Sequence, residues 1–360
     1  MNILILANND VGLFRFRKEL LERLVKNGHQ VYVSLPKGEF IEDIVKIGCK
    51  FVETNLSRHG INPFEEIKLL LTYKKIIKNI KPDIVLTYTI KPNIYGGIAC
   101  SMLGVPYVMN ITGLGTAVEK PGLLQIITVT LYKIAVRKVQ TVFFQNKENE
   151  DFFTSKGLAK GKHKIIPGSG VNLSFYKPLD YPDKETIDFV FVSRIMREKG
   201  IEQYLEAAKI LREKYPQTRF HICGFCEQDY EEQIKELQDK EVVIYHGFIK
   251  NMELIYSQAH CMVHPTYYPE GLSNVLLESA ASARPIITTN RSGCREVVED
   301  GKNGFLVKEK DSTDLIDKLE KFILLGWEQK KKMGLNGRAK VESEFDREIV
   351  IESYLKELEK

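Results

Sequence analysis

Short apolar, β-rich runs alternate with amphipathic stretches of helical period along nearly the whole chain, and this alternation restarts once after a break. In the first half the runs at 2–8, 30–35, 50–56, 83–89, 106–112, 141–145 and 164–167 read as strands. The stretches at 15–26, 63–80, 93–103, 122–138 and 147–156 read as helices between them. Continuous Val/Ile/Leu runs have no polar face, so such strands must be covered on both sides. A parallel sheet with helices on both faces, the doubly wound α/β arrangement, satisfies that requirement.

The pattern breaks at residues 168–182, where Gly, Pro, Asn and Ser accumulate. It resumes with strands at 187–194, 219–224, 242–245, 260–265 and 285–289, and with helices at 201–215, 230–239, 252–258 and 274–283. The last ~50 residues are charged and helical. The 360 residues exceed one ordinary core and suit two. The expected division is a first domain over 1–170, a linker over 171–183, a second domain over 184–344 and a terminal helix over 345–360.

Residues 1–7 carry no basic flank and run into a polar loop, so they read as a first strand, not an export signal. No apolar stretch reaches the ~18 residues needed to span a bilayer. The expected location is the cytoplasm, free or at the inner face of the membrane. Six scattered cysteines suggest reduced thiols. The pair Cys223 and Cys226 has redox or zinc spacing, but it ends a strand without a second pair or a completing His.

Net charge is +4, unevenly placed. Residues 1–170 hold 24 Lys and Arg against 14 Asp and Glu, or +10; the remainder holds 28 against 34, or −6. A basic first half either faces an anionic partner, such as a phospholipid surface or a phosphorylated acceptor, or is a scatter of solvated charges. The segment 122–138, apolar with Lys133, Arg137 and Lys138 near its end, either lies in a membrane interface or packs in the core. Basic residues are not clustered with aromatics, which argues against nucleic acid.

The loops carry the chemistry. The segment from His264 to Ala280, HPTYYPEGLSNVLLESA, takes a strand end through Glu270 and Gly271 into a helix beginning near Ser273. Unpaired amides and the positive dipole end at that start suit a diphosphate, and Gly271 permits close backbone approach. Glu278, two turns on, suits the two hydroxyls of a ribose. Arg194 ends a strand and Lys199 precedes a helix, which places two cations for charge-assisted bonds to phosphate. The loop after the first strand holds only Gly12 where a nicotinamide fingerprint needs GxGxxG.

Glu270 and Glu278 are separated by seven residues, and the sequence continues through ARPIITT, GCREVV and DGKNGFLV. With SRIMREKG around Arg194 and Lys199, this resembles the retaining glycosyltransferases of family 4 over essentially the whole chain. The first-half segment 82–116 is most similar to enzymes that build capsule, O-antigen or glycoprotein glycans on polyprenyl diphosphate.

The resemblance implies a GT-B fold, two Rossmann-like doubly wound parallel-sheet domains facing across a cleft. The first domain would take the acceptor and the second the sugar nucleotide, with the terminal helix crossing back to the first. It implies a UDP-sugar donor, a lipid-linked or other saccharide acceptor, retention of configuration and no metal or other cofactor. Glu270, Arg194 and Lys199 would be catalytic. The donor would meet Gly12, Arg194, Lys199, Phe248, Glu270, Gly271, Leu272, Ser273, Asn274 and Glu278. Arg17, Lys91, and Asn110 or Thr112 would line the acceptor side. Relatives place a histidine near residues 110–116 and this chain has none. A UDP-sugar 2-epimerase on the same fold is the alternative, followed by a dehydrogenase and a non-catalytic carbohydrate-binding protein.

Overall fold

The computed structural model describes residues 1–56, 62–115, 118, 121–183 and 185–360. The chain divides into two compact units. One comprises Met1–Ser169 with Pro269–Leu272 and Glu348–Lys360, the other Gly170–Tyr268 and Ser273–Arg347.

The first unit is a seven-stranded sheet in the order β3-β2-β1-β4-β5-β6-β7, parallel throughout. Its strands are β1 (Asn2–Leu6), β2 (Gln30–Leu35), β3 (Lys50–Glu53), β4 (Ile84–Tyr88), β5 (Tyr107–Ile111), β6 (Thr141–Phe144) and β7 (His163–Ile165). Successive residues of a strand face opposite sides, so the run NILIL of β1 feeds two cores. Ile3 and Ile5 pack with α1 (Asp10–Lys26), α2 (Ile41–Lys46) and the terminal helix α13 (Arg347–Leu358). Leu4 and Leu6 pack on the other side with α3 (Pro63–Ile80), α4 (Gly97–Leu103), α5 (Leu123–Ala135) and α6 (Lys147–Ser155).

Local signals set the helix ends. Asn9 caps α1 by accepting the Gly12 amide at 2.6 Å. Asn62 caps α3, Pro63 occupies its first position, and Lys81 ends it in the left-handed region at φ 50°.

The second unit is a six-stranded parallel sheet ordered β10-β9-β8-β11-β12-β13. Its strands are β8 (Ile187–Val192), β9 (Thr218–Cys223), β10 (Ile244–Gly247), β11 (Cys261–His264), β12 (Ile286–Thr289) and β13 (Gly304–Val307). The helices are α7 (Ile201–Lys214), α8 (Glu231–Asp239), α9 (Glu253–Gln258), α10 (Asn274–Ala281), α11 (Ser312–Leu324) and α12 (Trp327–Glu344). This core includes an aromatic cluster, with Phe189 stacked on Phe220 at 5.1 Å and Tyr204 edge-on to Phe220.

The expected two-sheet architecture is present. The differences lie in short elements: α2 and β13 were not expected from the sequence, and the helix at 93–103 begins as a π-helix at Pro92–Gly96. The helix expected at 122–138 spans Leu123–Ala135 and is two-sided. Thr128, Val129, Tyr132 and Ala135 are buried, whereas Leu123, Ile126 and Ile127 are exposed. All six cysteines are free thiols, and burial pushes Cys223 up to about 12. No cluster of potential metal ligands occurs among the described residues.

Candidate active site

Each sheet reverses its winding direction once, between β1 and β4 in the first unit and between β8 and β11 in the second. Loops leaving the two strands at such a point diverge, which opens a crevice at their carboxyl ends.

In the second unit, Arg194 and Lys199 follow β8, and Pro265 to Tyr268 follow β11. These two loops are fitted closely. Gly200 sits at φ 80°, and a Cβ there would fall 2.2 Å from the Pro265 carbonyl oxygen. The Tyr267 amide donates to the Glu198 carbonyl at 2.8 Å, and the Thr266 hydroxyl donates to the same oxygen at 3.2 Å. Lys199 is thereby held with its Nζ 4.8 Å from the centre of the Tyr268 ring, and the Arg194 guanidinium lies 5.6 Å from that same ring. Arg194 is also paired with Glu227.

The start of α10 is equally specific. Ser273 is its N-cap residue, yet its side chain makes no capping bond. The Ser273 amide donates to the Gly293 carbonyl at 2.8 Å. Asn274 opens the helix, and Glu278 one turn later accepts a bond from the Tyr256 hydroxyl at 3.3 Å. Burial, then the neighbouring Glu278 charge, hold the Tyr256 phenol well above its usual range, so it stays a donor. Phe248 follows Gly247 (φ 63°) and exposes about half its surface (53%). His246 stacks on His221, whose Nε2 lies 2.8 Å from the buried Asp188 carboxylate. Beneath Lys199, His264 is buried with neither ring nitrogen partnered, and burial followed by the Lys199 charge keeps it neutral.

The first unit holds its candidates differently. Gly12 lies in the first turn of α1 after β1, its amide already bonded to Asn9. Arg17 is buried, donates to the Phe16 carbonyl at 2.8 Å and lies over the Tyr88 ring at 5.3 Å. Lys91 forms an ion pair with Glu66 at 2.5 Å. Asn110 is buried; its amide donates to the Tyr354 hydroxyl and accepts from Gln145 at 3.4 Å. Just before Lys91, Thr89 adopts φ 71°, a conformation that β-branched residues rarely tolerate.

Pro269–Leu272 groups with this unit although its sequence lies inside the other. The Asn146 side-chain amide donates to the carbonyls of Glu270 and Gly271 at 3.2 and 2.5 Å. A Cβ on Gly271 would lie 2.4 Å from the Thr112 carbonyl oxygen, so only glycine fits. Leu272 is buried there, with its side chain filling the space a Cβ on Gly168 would occupy.

Sequence reasoning missed Tyr268, Tyr256, Asn146 and Tyr354. Tyr268 stands in the quoted motif, but nothing in the spacing says where its ring turns. The others reach their partners across at least 22 residues, so no local pattern reveals them.

Comparison with known proteins identifies the family. Residues 180–340 match the model for glycosyl transferases group 1, and residues 2–146 match the model for glycosyl transferase 4-like proteins. The N,N'-diacetylbacillosaminyl-diphospho-undecaprenol α-1,3-N-acetylgalactosaminyltransferase of Campylobacter jejuni is 24% identical over 99% of this chain and 98% of its own. The UDP-Gal:α-D-GlcNAc-diphosphoundecaprenol α-1,3-galactosyltransferase of Escherichia coli is 26% identical over 79% of this chain and 77% of its own. In structure, HepE of Anabaena in complex with UDP and glucose superposes with a TM-score of 0.81 at 18% identity, covering 100% of this chain and 99% of that one. The two family matches, the relative matched over nearly its full length and the shared GT-B fold place this chain in the glycosyltransferase family, among group 1 enzymes with a family 4-like N-terminal half.

Proposed function

We propose that the chain transfers a sugar from a UDP-sugar to a lipid-linked saccharide, with retention of configuration and without a metal, in the synthesis of a surface glycan. The observation that supports the donor assignment is that Arg194 and Lys199, both near the Tyr268 ring, and the chain leading to α10 leave the two strands at which the second sheet reverses. Two cations beside the positive dipole end of a helix suit the diphosphate of a nucleotide sugar. Charge grows on that diphosphate as the glycosidic bond breaks, so donors fixed in advance lower the barrier.

In this reading Glu278 takes the ribose hydroxyls, with Tyr256 holding its carboxylate. Phe248 and its neighbours line the base. Ser273, Asn274 and Gly12 are assigned to donor binding. Glu270, with Gly271 and Leu272, positions the transferred sugar through its hydroxyls. The acceptor arrives on the leaving-group face and gives its proton to a departing diphosphate oxygen. Arg17, Lys91, Asn110 and Thr112 belong to the acceptor side, where Lys91 must exchange Glu66 for an acceptor phosphate if it is to bind one. In domain terms the first unit receives the acceptor and the second the donor.

Thermal shifts with UDP, GDP, ADP and NAD test the reading. A ligand at ~100-fold its Kd adds about 2.7 kcal/mol to the native state. UDP is expected to stabilise the wild type and to lose most of that effect in Glu278→Ala. A shift with NAD and none with any nucleoside diphosphate overturns the proposal.

The acceptor carrier draws the enzyme to a membrane, and the helical layer of the first unit supports contact with an anionic one. No described helix is long and apolar enough to cross a bilayer. On α3, Phe64, Ile67 and Leu71 are exposed at helical spacing, followed by exposed Lys75 and Lys78. On α5, Leu123, Ile126 and Ile127 are exposed, followed by Lys133 and then Arg137 and Lys138. Both helices pack on the same side of a parallel sheet and therefore run in the same direction. Their apolar starts lie at the carboxyl edge of the strands, with basic ends behind, as contact with an anionic lipid surface at the cytoplasmic face requires. Co-sedimentation with phosphatidylglycerol vesicles should be strong and should fall at least fivefold in Ile126→Glu/Ile127→Glu. Unchanged binding in that variant refutes the assigned face.

A further inference from the structure

We propose that Tyr268 is a positioning residue of the leaving-group site, whose ring holds Arg194 and Lys199 side by side. The inference rests on the assignment of those two cations to the donor diphosphate. It adds the group that keeps them together when no diphosphate is present.

Two like charges aimed at one anion repel each other while the site is empty, and flexible side chains relieve that by swinging apart. The electron-rich face of an aromatic ring attracts a cation without neutralising it, so a ring near both can help hold them in place. Tyr268 has that placement, with Lys199 Nζ at 4.8 Å and the Arg194 guanidinium at 5.6 Å from its centre. A carboxylate in the same place would compete with the phosphates for those donors. Glu227, which pairs with Arg194 at the edge of the site, is half-exposed and must yield when the ligand arrives.

The backbone fixes the ring. The Tyr268 amide donates to the Thr266 hydroxyl at 3.2 Å, and that hydroxyl donates to the Glu198 carbonyl. Tyr267 bonds to the same Glu198, the residue just before Lys199. With Gly200 seated against Pro265, the two loops move as one piece, so the ring is registered to Lys199 through main chain. The phenol oxygen also interacts with the Arg194 guanidinium, and Tyr268→Phe separates that contribution from the ring's.

The test compares Tyr268→Phe, Tyr268→Leu, Arg194→Ala and Lys199→Ala by affinity for UDP and for UMP. The ratio of the two affinities isolates the second phosphate, and a purely structural change moves both alike. Tyr268→Leu is expected to lower the ratio about tenfold with UMP binding unchanged and to reduce kcat by a larger factor than KM rises. Tyr268→Phe is expected to restore the ratio to within twofold of wild type. A wild-type ratio in Tyr268→Leu, alongside a reduced one in Arg194→Ala and Lys199→Ala, overturns this proposal and leaves the donor assignment standing. A wild-type ratio in all three removes the donor assignment itself. Equal losses for UDP and UMP in Tyr268→Leu identify a merely structural residue.

Discussion

The two units have the same architecture and treat their candidate polar residues in opposite ways. In the first, Arg17 is buried over Tyr88, Lys91 is paired with Glu66, and Asn110 is engaged by Tyr354 and Gln145. In the second, Arg194 and Lys199 both lie near the ring of Tyr268, Ser273 leaves its side chain out of the α10 cap, and Glu278 accepts a bond from a phenol. The second gathers two cations at one ring, with Arg194 still paired to Glu227, whereas the first ties its cations singly into the scaffold. A nucleotide is a constant partner across many sugar donors, whereas an acceptor is specific to one pathway. Preorganisation is affordable for the former.

That contrast can be broken experimentally. If the second unit carries leaving-group stabilisation, Lys199→Ala should lower kcat on the order of 10²–10³-fold, and Lys91→Ala by less than about tenfold. Steady-state kinetics giving the reverse order would transfer the chemistry to the first unit. Glu270→Ala should reduce turnover far more than UDP affinity; calorimetry showing equal losses would contradict its assignment to the sugar. Glu278→Ala should weaken UDP by roughly 1.5–3 kcal/mol, the usual loss for a hydrogen bond to a charged group, with little change in turnover of the bound donor.

A fourth prediction sharpens the scaffold half of the comparison. Glu357, at the end of α13, accepts from Thr141 at 2.6 Å and pairs with Lys164 and Lys360. Burial raises its carboxyl, but the bonds from Lys164, Lys360, Thr141 and Gln140 outweigh that and hold it at about 2. A carboxylate lowered on folding contributes stability above its unfolded value near 4.5 and loses it as pH falls toward 2. Glu357→Gln should therefore cost about 1–2 kcal/mol at neutral pH, allowing for solvent screening, and the difference should shrink between pH 4.5 and 2. Denaturant melts across that range check it. The smallest effect expected is none: a chelator should leave activity unchanged.

Both sheets were legible because strands covered on two faces write continuous apolar runs, as in NILIL of β1 and IDFVFV of β8. The loops proposed to hold the donor stand out in the sequence because a strand end, a glycine and a helix start fall within a few residues. β13 was missed because GFLV is four residues long and follows a turn-rich stretch. The π-helix at Pro92–Gly96 was missed because its one-residue widening does not disturb the helical period. Partners such as Tyr256 for Glu278 are set by the packing of separate elements. Position along the chain holds no trace of them.

The terminal helix bears on synthesis. Thr141 and Gln140 wait for Glu357, and Asn110 waits for Tyr354, partners made more than 200 residues later. At 5–20 residues per second, the ribosome needs roughly 10–40 s after finishing residue 169 to deliver them. The second unit is complete in sequence at Arg347, before α13 emerges. The half of the enzyme that is translated first is therefore the last to close its core, and in that interval its unfilled groove is open to chaperones and to neighbouring nascent chains.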